Sequence, residues 1–207
     1  MNRLSDSYFH EMYATEDDPW GFGDRWYEQR KYQLTLAALS APTYGRAFEA
    51  GCSIGVLSEQ LAPRCDHLLC VDVADRATTL AAQRLARFGD RVEVQTRDFV
   101  DGWPPGEFDL IVLSEVLYYL EPATLDRLVD RLTTALTDVG ELIVVHWRWP
   151  VAEYPQTGDA VHDRLTASAL HQSASYRDAD LRLDVFHRSD RPSVAQSEGL
   201  VSAEVIR

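Results

Sequence analysis

From Gly45 onward the chain alternates short apolar runs with longer segments in which apolar residues recur every three to four positions. That rhythm predicts strands at Arg46–Ala50, His67–Val73, Arg91–Gln95, Phe108–Leu113 and Glu141–Trp147. Between them it predicts helices at Gly55–Ala62, Asp75–Phe88 and Pro122–Thr137, the last with Leu125, Leu128, Val129, Leu132 and Leu136 on one face. Apolar strands separated by amphipathic helices imply an α/β fold: a doubly wound, mainly parallel sheet with helices on both faces and right-handed crossovers. Beyond Trp147 a loop-rich stretch leads to a predicted helix from Asp159 to about His171 and a strand at Leu181–His187. The apolar stretch Leu200–Ile206 reads either as a last edge strand or as a loose tail. Ahead of the first strand, Tyr8, Phe9, Tyr13, Trp20, Phe22, Trp26, Tyr27 and Tyr32 crowd together and read as an aromatic cover, an amino-terminal aromatic and helical lid on the core.

At 207 residues this is one domain, with residues 1–44 as the covering segment, 45–147 as the core and 148–207 completing the sheet edge. With 45% apolar and 26% charged residues the chain can bury a sizeable interior. Its 33 acidic against 20 basic side chains leave a net charge of −13, which repels phosphate backbones and anionic lipids, so neither nucleic acid nor a membrane surface is an expected partner. No run approaches the roughly 20 apolar residues that span a bilayer, and the first residues lack a leader's apolar segment, so a cytoplasmic location is expected. Cys52, Cys65 and Cys70 have neither CxxC spacing nor a nearby histidine pair, so no disulfide framework and no metal are expected. An edge strand near the carboxyl terminus leaves monomer and homodimer both open.

The first predicted strand runs into Glu49-Ala50-Gly51-Cys52-Ser53-Ile54-Gly55, a glycine-bearing turn at the carboxyl edge of the sheet, where close backbone approach and helix N–H groups suit a polar ligand. The second strand ends in Asp72-Val73, about 20 residues beyond Gly51, where a carboxylate accepts hydrogen bonds from ribose hydroxyls. After the third strand come Asp98 and Phe99, an acceptor for an exocyclic amine and an apolar border for a base. Each has a plainer reading: a tight turn, a helix-capping acid and a solvent-exposed turn acid.

Taken together, Glu-x-Gly-x-x-x-Gly, Asp72, Asp98 and the run Phe108–Tyr119 resemble the class I S-adenosylmethionine-dependent methyltransferases. Ser53 stands where many members have another glycine. Dinucleotide oxidoreductases share the first two signals, but this chain leaves no second nucleotide-binding half. The flanking Asp17-Asp18-Pro19-Trp20, Trp26–Tyr32, His146-Trp147-Arg148 and Gly158–His162 resemble the NodS-like branch, the nodulation-type N-methyltransferases and their relatives.

The resemblance implies a Rossmann-like methyltransferase fold with S-adenosylmethionine as cofactor, S-adenosylhomocysteine as product, and a small-molecule acceptor. It further implies that Trp20, Arg30 and Tyr27 form a lid, with Arg30 a candidate partner for the cofactor carboxylate. Glu49, Gly51, Cys52, Ser53, Gly55, Asp72, Val73, Asp98, Phe99, Ser114 and Glu115 are the remaining expected cofactor contacts. Residues at the ends of the fourth and fifth strands should face the transferred methyl group: Ser114, Glu115, Tyr118, Tyr119, His146 and Trp147. Glu115 and His146 are the candidate proton acceptors and Tyr118 a candidate catalytic wall, with His162 a candidate from the acceptor-side loop. For Glu115 the plainer reading is a helix-start carboxylate, and for His146 a satisfied core histidine. An amine acceptor is expected, such as an amino sugar or related metabolite, because a neutral amine needs only a modest base. A hydroxyl acceptor, and a cofactor-binding module without catalysis, are the alternatives.

Overall fold

The computed structural model describes residues 4–201. Helices α1 (Asp6–Thr15) and α2 (Trp26–Ala38) precede β1 (Tyr44–Ala50), α3 (Val56–Leu61), β2 (Cys65–Asp72), α4 (Asp75–Leu85) and β3 (Val92–Thr96). The second half continues as β4 (Phe108–Ser114), α5 (Pro122–Ala135), β5 (Leu136–Trp147), α6 (Gly158–Thr166), β6 (His171–Arg177), β7 (Leu181–His187) and the short α7 (Val194–Ser197). The strands form one sheet in the order β3-β2-β1-β4-β5-β7-β6. β1 through β5 are parallel, while β7 runs antiparallel between β5 and β6. The strand order reverses between β1 and β4, and a crevice opens beyond the carboxyl ends of strands at such a point.

Successive residues of each central strand feed opposite cores. Phe48, Ile111, Leu113, Leu142 and Val144 pack with Leu125, Leu128 and Leu132 of α5 and Val161 and Leu165 of α6. Ala47, Leu110, Val112, Ile143 and Val145 pack with Tyr32 of α2, Leu57 and Leu61 of α3, and Ala81 and Leu85 of α4. Because both faces are covered, the central strands β4 and β5 carry continuous apolar stretches, Leu110–Leu113 and Leu142–Val145.

The segment expected ahead of β1 as an aromatic and helical lid carries two helices, and α1 docks over the glycine turn through Tyr13, beside Ile54, Ala74 and Ala77. Other expectations are corrected. The predicted Pro122–Thr137 helix stops at Ala135, because buried Leu136 pairs with Phe108 and opens β5 five residues earlier than the pattern implied. The predicted helix to His171 stops at Thr166, and His171 begins β6, a strand the pattern did not announce. β6 is exposed along almost its whole length, so it carries no apolar alternation to read. It is also the sheet edge on that side, the role one reading gave to Leu200–Ile206. Residues 202–206 of that stretch lie outside the described residues.

Leu132 is fully buried under the sheet. Leu132→Ala should lower the unfolding free energy by about 2–5 kcal/mol in urea denaturation, and a loss under about 1 kcal/mol would show that this face is not tightly packed.

Candidate active site

A cavity of about 530 Å³ opens at the carboxyl edge of β1, β2 and β4. At one end the chain leaves β1 through Gly51, whose φ of +70° and close approach to Val116 exclude a side chain: a Cβ there would lie 2.2 Å from a Val116 methyl. Ser53 also takes a left-handed conformation, φ 51°, and its N–H donates to Asp72 Oδ2 at 2.9 Å. Asp72 Oδ1 accepts from the Ala74 N–H at 3.0 Å. Burial pushes the Asp72 carboxyl above its usual range, with the N–H groups of Ala74, Ser53 and Val73 opposing it. Each carboxylate oxygen can accept a further hydrogen bond, so Asp72 remains able to take hydroxyl donors from the cavity. Asp98 accepts the Val100 N–H at 2.8 Å in a turn that sets Phe99 against the same space. Tyr13 of α1 meets Ser53 Oγ at 2.5 Å and pins the helix over the turn.

At the other end lies Glu115, which follows β4 with φ 60°. Its carboxylate accepts from Lys31 Nζ at 3.1 Å, from the Tyr118 hydroxyl at 2.5 Å and from the Trp147 N–H at 3.0 Å. Lys31 is buried and also pairs with Glu28 at 2.7 Å. Burial pulls the Lys31 ammonium down, but Glu115 and Glu28 outweigh it and hold it above its ordinary value. The Glu28 carboxyl is pushed up by burial, against Lys31. Tyr118 is likewise raised, by burial and then by Glu115, and so remains a hydroxyl donor. The Tyr27 hydroxyl, buried beside these groups in the cavity wall, has no hydrogen-bond partner.

Of the residues expected at a cofactor site, Trp20, Glu49, Gly51, Cys52, Ser53, Asp72, Val73, Asp98, Phe99, Ser114 and Glu115 line this one cavity, as does Tyr118. Three do not. Gly55 instead shapes the start of α3, φ +78°, close against Ala81. Arg30 faces away, bonded to Asp178 at 2.7 Å and to the Tyr176 hydroxyl at 2.6 Å, so its guanidinium is committed to the β6–β7 turn and not to a cofactor carboxylate. His146 is fully buried behind the wall; its Nε2 accepts the Leu117 N–H at 3.1 Å and its Nδ1 lies 3.1 Å from His162. With that lone pair occupied, His146 is not placed to receive a proton from an acceptor. His162, also fully buried, is likewise removed from the acceptor side.

Lys31, Glu28 and Asp180 line the cavity without having been singled out. A signal existed for the first two: Glu28, Lys31, Tyr32 and Thr35 share the buried face of α2, and a lysine there demands acidic partners.

The chain's relatives can now be set beside this geometry. Over residues 8–152 it matches the family model for nodulation protein S, NodS. The chain belongs to the NodS family. Nodulation protein S of Sinorhizobium fredii is 34% identical over 136 residues, covering 65% of this chain and 62% of that protein, so the match spans less than two thirds of that relative's length. The crystal structure of N-methyltransferase NodS from Bradyrhizobium japonicum WM9, in complex with S-adenosyl-L-homocysteine, is 28% identical with a TM-score of 0.79. It covers 89% of this chain and 99% of that one. A solved chain from Pseudomonas syringae is 44% identical with a TM-score of 0.68, covering 79% and 99%. The fold is the Rossmann-like one of class I S-adenosylmethionine-dependent methyltransferases. Among the described residues no helix is long and apolar enough to cross a membrane.

Glu49, buried at the end of β1, is pushed up to about 7 by burial, with the Cys70 thiol, 3.8 Å from its carboxylate, among the opposing influences. A carboxyl raised in the folded state keeps its proton where the unfolded chain has lost it, so its stabilising contribution is full below about pH 4.5 and disappears as pH rises through 7. In cofactor-free protein, the stability difference between wild type and Glu49→Gln should therefore shift against wild type by a few kcal/mol from pH 4.5 to 7.5. A pH-independent difference in urea midpoints would contradict the raised carboxyl.

Proposed function

We propose that this protein transfers a methyl group from S-adenosylmethionine to an amine nitrogen of a small molecule. The observation that carries the reading is one cavity with Asp72 in its glycine-turn end and Glu115 in its aromatic end. The residues suit the cofactor: the left-handed turn at Gly51 brings backbone to the cavity wall, Asp72 accepts ribose hydroxyls, and Asp98 with Phe99 receives the base. Trp20 and Tyr27 cover it from the amino-terminal side, and the Tyr27 hydroxyl, which has no partner, supplies a donor for its carboxylate in place of Arg30. Bound S-adenosylmethionine supplies a methyl group already activated on a sulfonium sulfur.

The protein's own work is then to hold an acceptor in line, exclude water and take up a proton. Glu28, Glu115 and Asp180 line the cavity against Lys31 and the peripheral Arg25, an acidic balance that attracts an ammonium. Glu115 is a hydrogen-bond acceptor at this end of the cavity, placed to orient an amine and to receive its proton as the nitrogen gains the methyl group, and this favours nitrogen over oxygen. Phe9, Tyr119, Trp147 and Tyr154 give the acceptor an aromatic surround. The amino group of a sugar, the acceptor class suggested by family membership, fits this chemistry.

Asp72→Ala should weaken S-adenosylhomocysteine binding about tenfold or more in calorimetric titration, since a carboxylate hydrogen bond contributes about 1.5–3 kcal/mol. In a panel of matched amines and alcohols, wild type should release S-adenosylhomocysteine with amines. Release with alcohols alone would reverse the choice of atom, and tight cofactor binding with no turnover on any acceptor would favour a binding module.

A further inference from the structure

Behind the acceptor end runs a buried polar chain that the mechanism above leaves unused. The Leu117 N–H donates to His146 Nε2 at 3.1 Å, His146 Nδ1 lies 3.1 Å from His162 Nε2, and His162 Nδ1 lies 2.6 Å from Asp184 Oδ2. Both imidazoles and the Asp184 side chain are fully buried. The same Asp184 oxygen accepts from Arg182 Nε at 3.0 Å, and the other accepts from Gln172 Nε2 at 2.7 Å.

The chain has only one consistent direction. A backbone amide can only donate, so His146 Nε2 carries no hydrogen. A neutral imidazole then holds its proton on Nδ1, where it donates to His162 Nε2. That nitrogen is therefore an acceptor, which leaves the His162 proton on Nδ1, facing Asp184. Burial lowers the basicity of both rings, in His146 helped by His162 and Lys31 and in His162 opposed by Asp184, in keeping with two neutral imidazoles.

Leu117 opens the short turn that begins after Glu115, whose left-handed backbone is intrinsically unfavourable. The Tyr118 ring packs edge-on against His146 with centroids 5.0 Å apart, and its hydroxyl bonds Glu115. His146 thus touches this turn twice, through the Leu117 N–H and through the Tyr118 ring. From this geometry we propose that His146, His162 and Asp184 form a directional hydrogen-bond chain that holds the Glu115–Tyr119 turn in register for methyl transfer, with His146 and His162 as positioning residues that never meet the substrate. The proposal rests on the reading of Glu115 and Tyr118 as the acceptor wall.

The test uses the full chain and three readouts: S-adenosylhomocysteine affinity, steady-state kinetics with the best amine of the panel, and nitrogen-15 NMR of the histidine rings. In wild type at pH 7 both rings should report the neutral Nδ1–H form. His146→Phe retains the ring but offers Leu117 no acceptor; it should lower kcat about tenfold or more, as small misplacements at a reacting centre do, while leaving S-adenosylhomocysteine affinity unchanged. His146→Gln, which restores an acceptor, should recover part of the loss. Should His146→Phe fail to fold, His162→Gln carries the test, with kcat falling at unchanged affinity. Wild-type kcat in a folded variant, parallel loss of affinity and kcat, or an Nε2–H form of His146 in wild type would each overturn the proposal. Absence of turnover in wild type itself would instead overturn the functional reading on which it rests.

Discussion

Four parts of the chain converge on the carboxylate of Glu115. Lys31 reaches it from α2, Tyr118 from the turn after β4, the Trp147 N–H from the end of β5, and the residue's own left-handed backbone directs it. A carboxylate partly withdrawn from water is stabilised by charge and hydrogen bonds around it, and these elements supply both. The amino-terminal helices are therefore more than a cover laid on the sheet: α2 delivers the Lys31 ammonium that pairs with Glu115. Glu28 completes the arrangement by sharing Lys31, and leaves the buried group with an excess of acid that a cationic acceptor would relieve.

The two ends of the cavity are built on different principles. The glycine-turn end depends on backbone: the reversal of strand order opens a crevice, Gly51 turns the chain at its wall, and Asp72 is oriented by two N–H groups of its own neighbourhood. The other end depends on side chains brought from distant parts of the sequence, Lys31, Glu115 and Tyr118.

The same division governs what could be read from the residues alone. β4 was legible because it is buried along most of its length and shows a continuous apolar stretch, β7 because apolar residues alternate along it, and the spacing from Gly51 to Asp72 is a local property of one strand–helix–strand unit. β6 was not legible, since an exposed edge strand needs no apolar face, and Leu136 satisfied a helical spacing while belonging to a strand. Within the site, the pairing of Lys31 with Glu115 joins residues far apart in the chain and leaves only a faint trace, a lysine on the inner face of a helix. Arg30 and His146 were assigned to the cavity because their positions in the chain suited it. The β6–β7 hairpin instead claims the first, and the Leu117 amide with His162 claims the second.

The claim on which the account depends is that Glu115 serves the transfer step as a carboxylate. Single-turnover methyl transfer to an amine, measured on preformed cofactor complexes of wild type and Glu115→Gln, tests this directly. The account predicts a rate about a hundredfold or more lower in the variant, in line with the loss of a positioned proton acceptor. A rate equal to that of wild type would contradict it and leave Glu115 as a structural carboxylate.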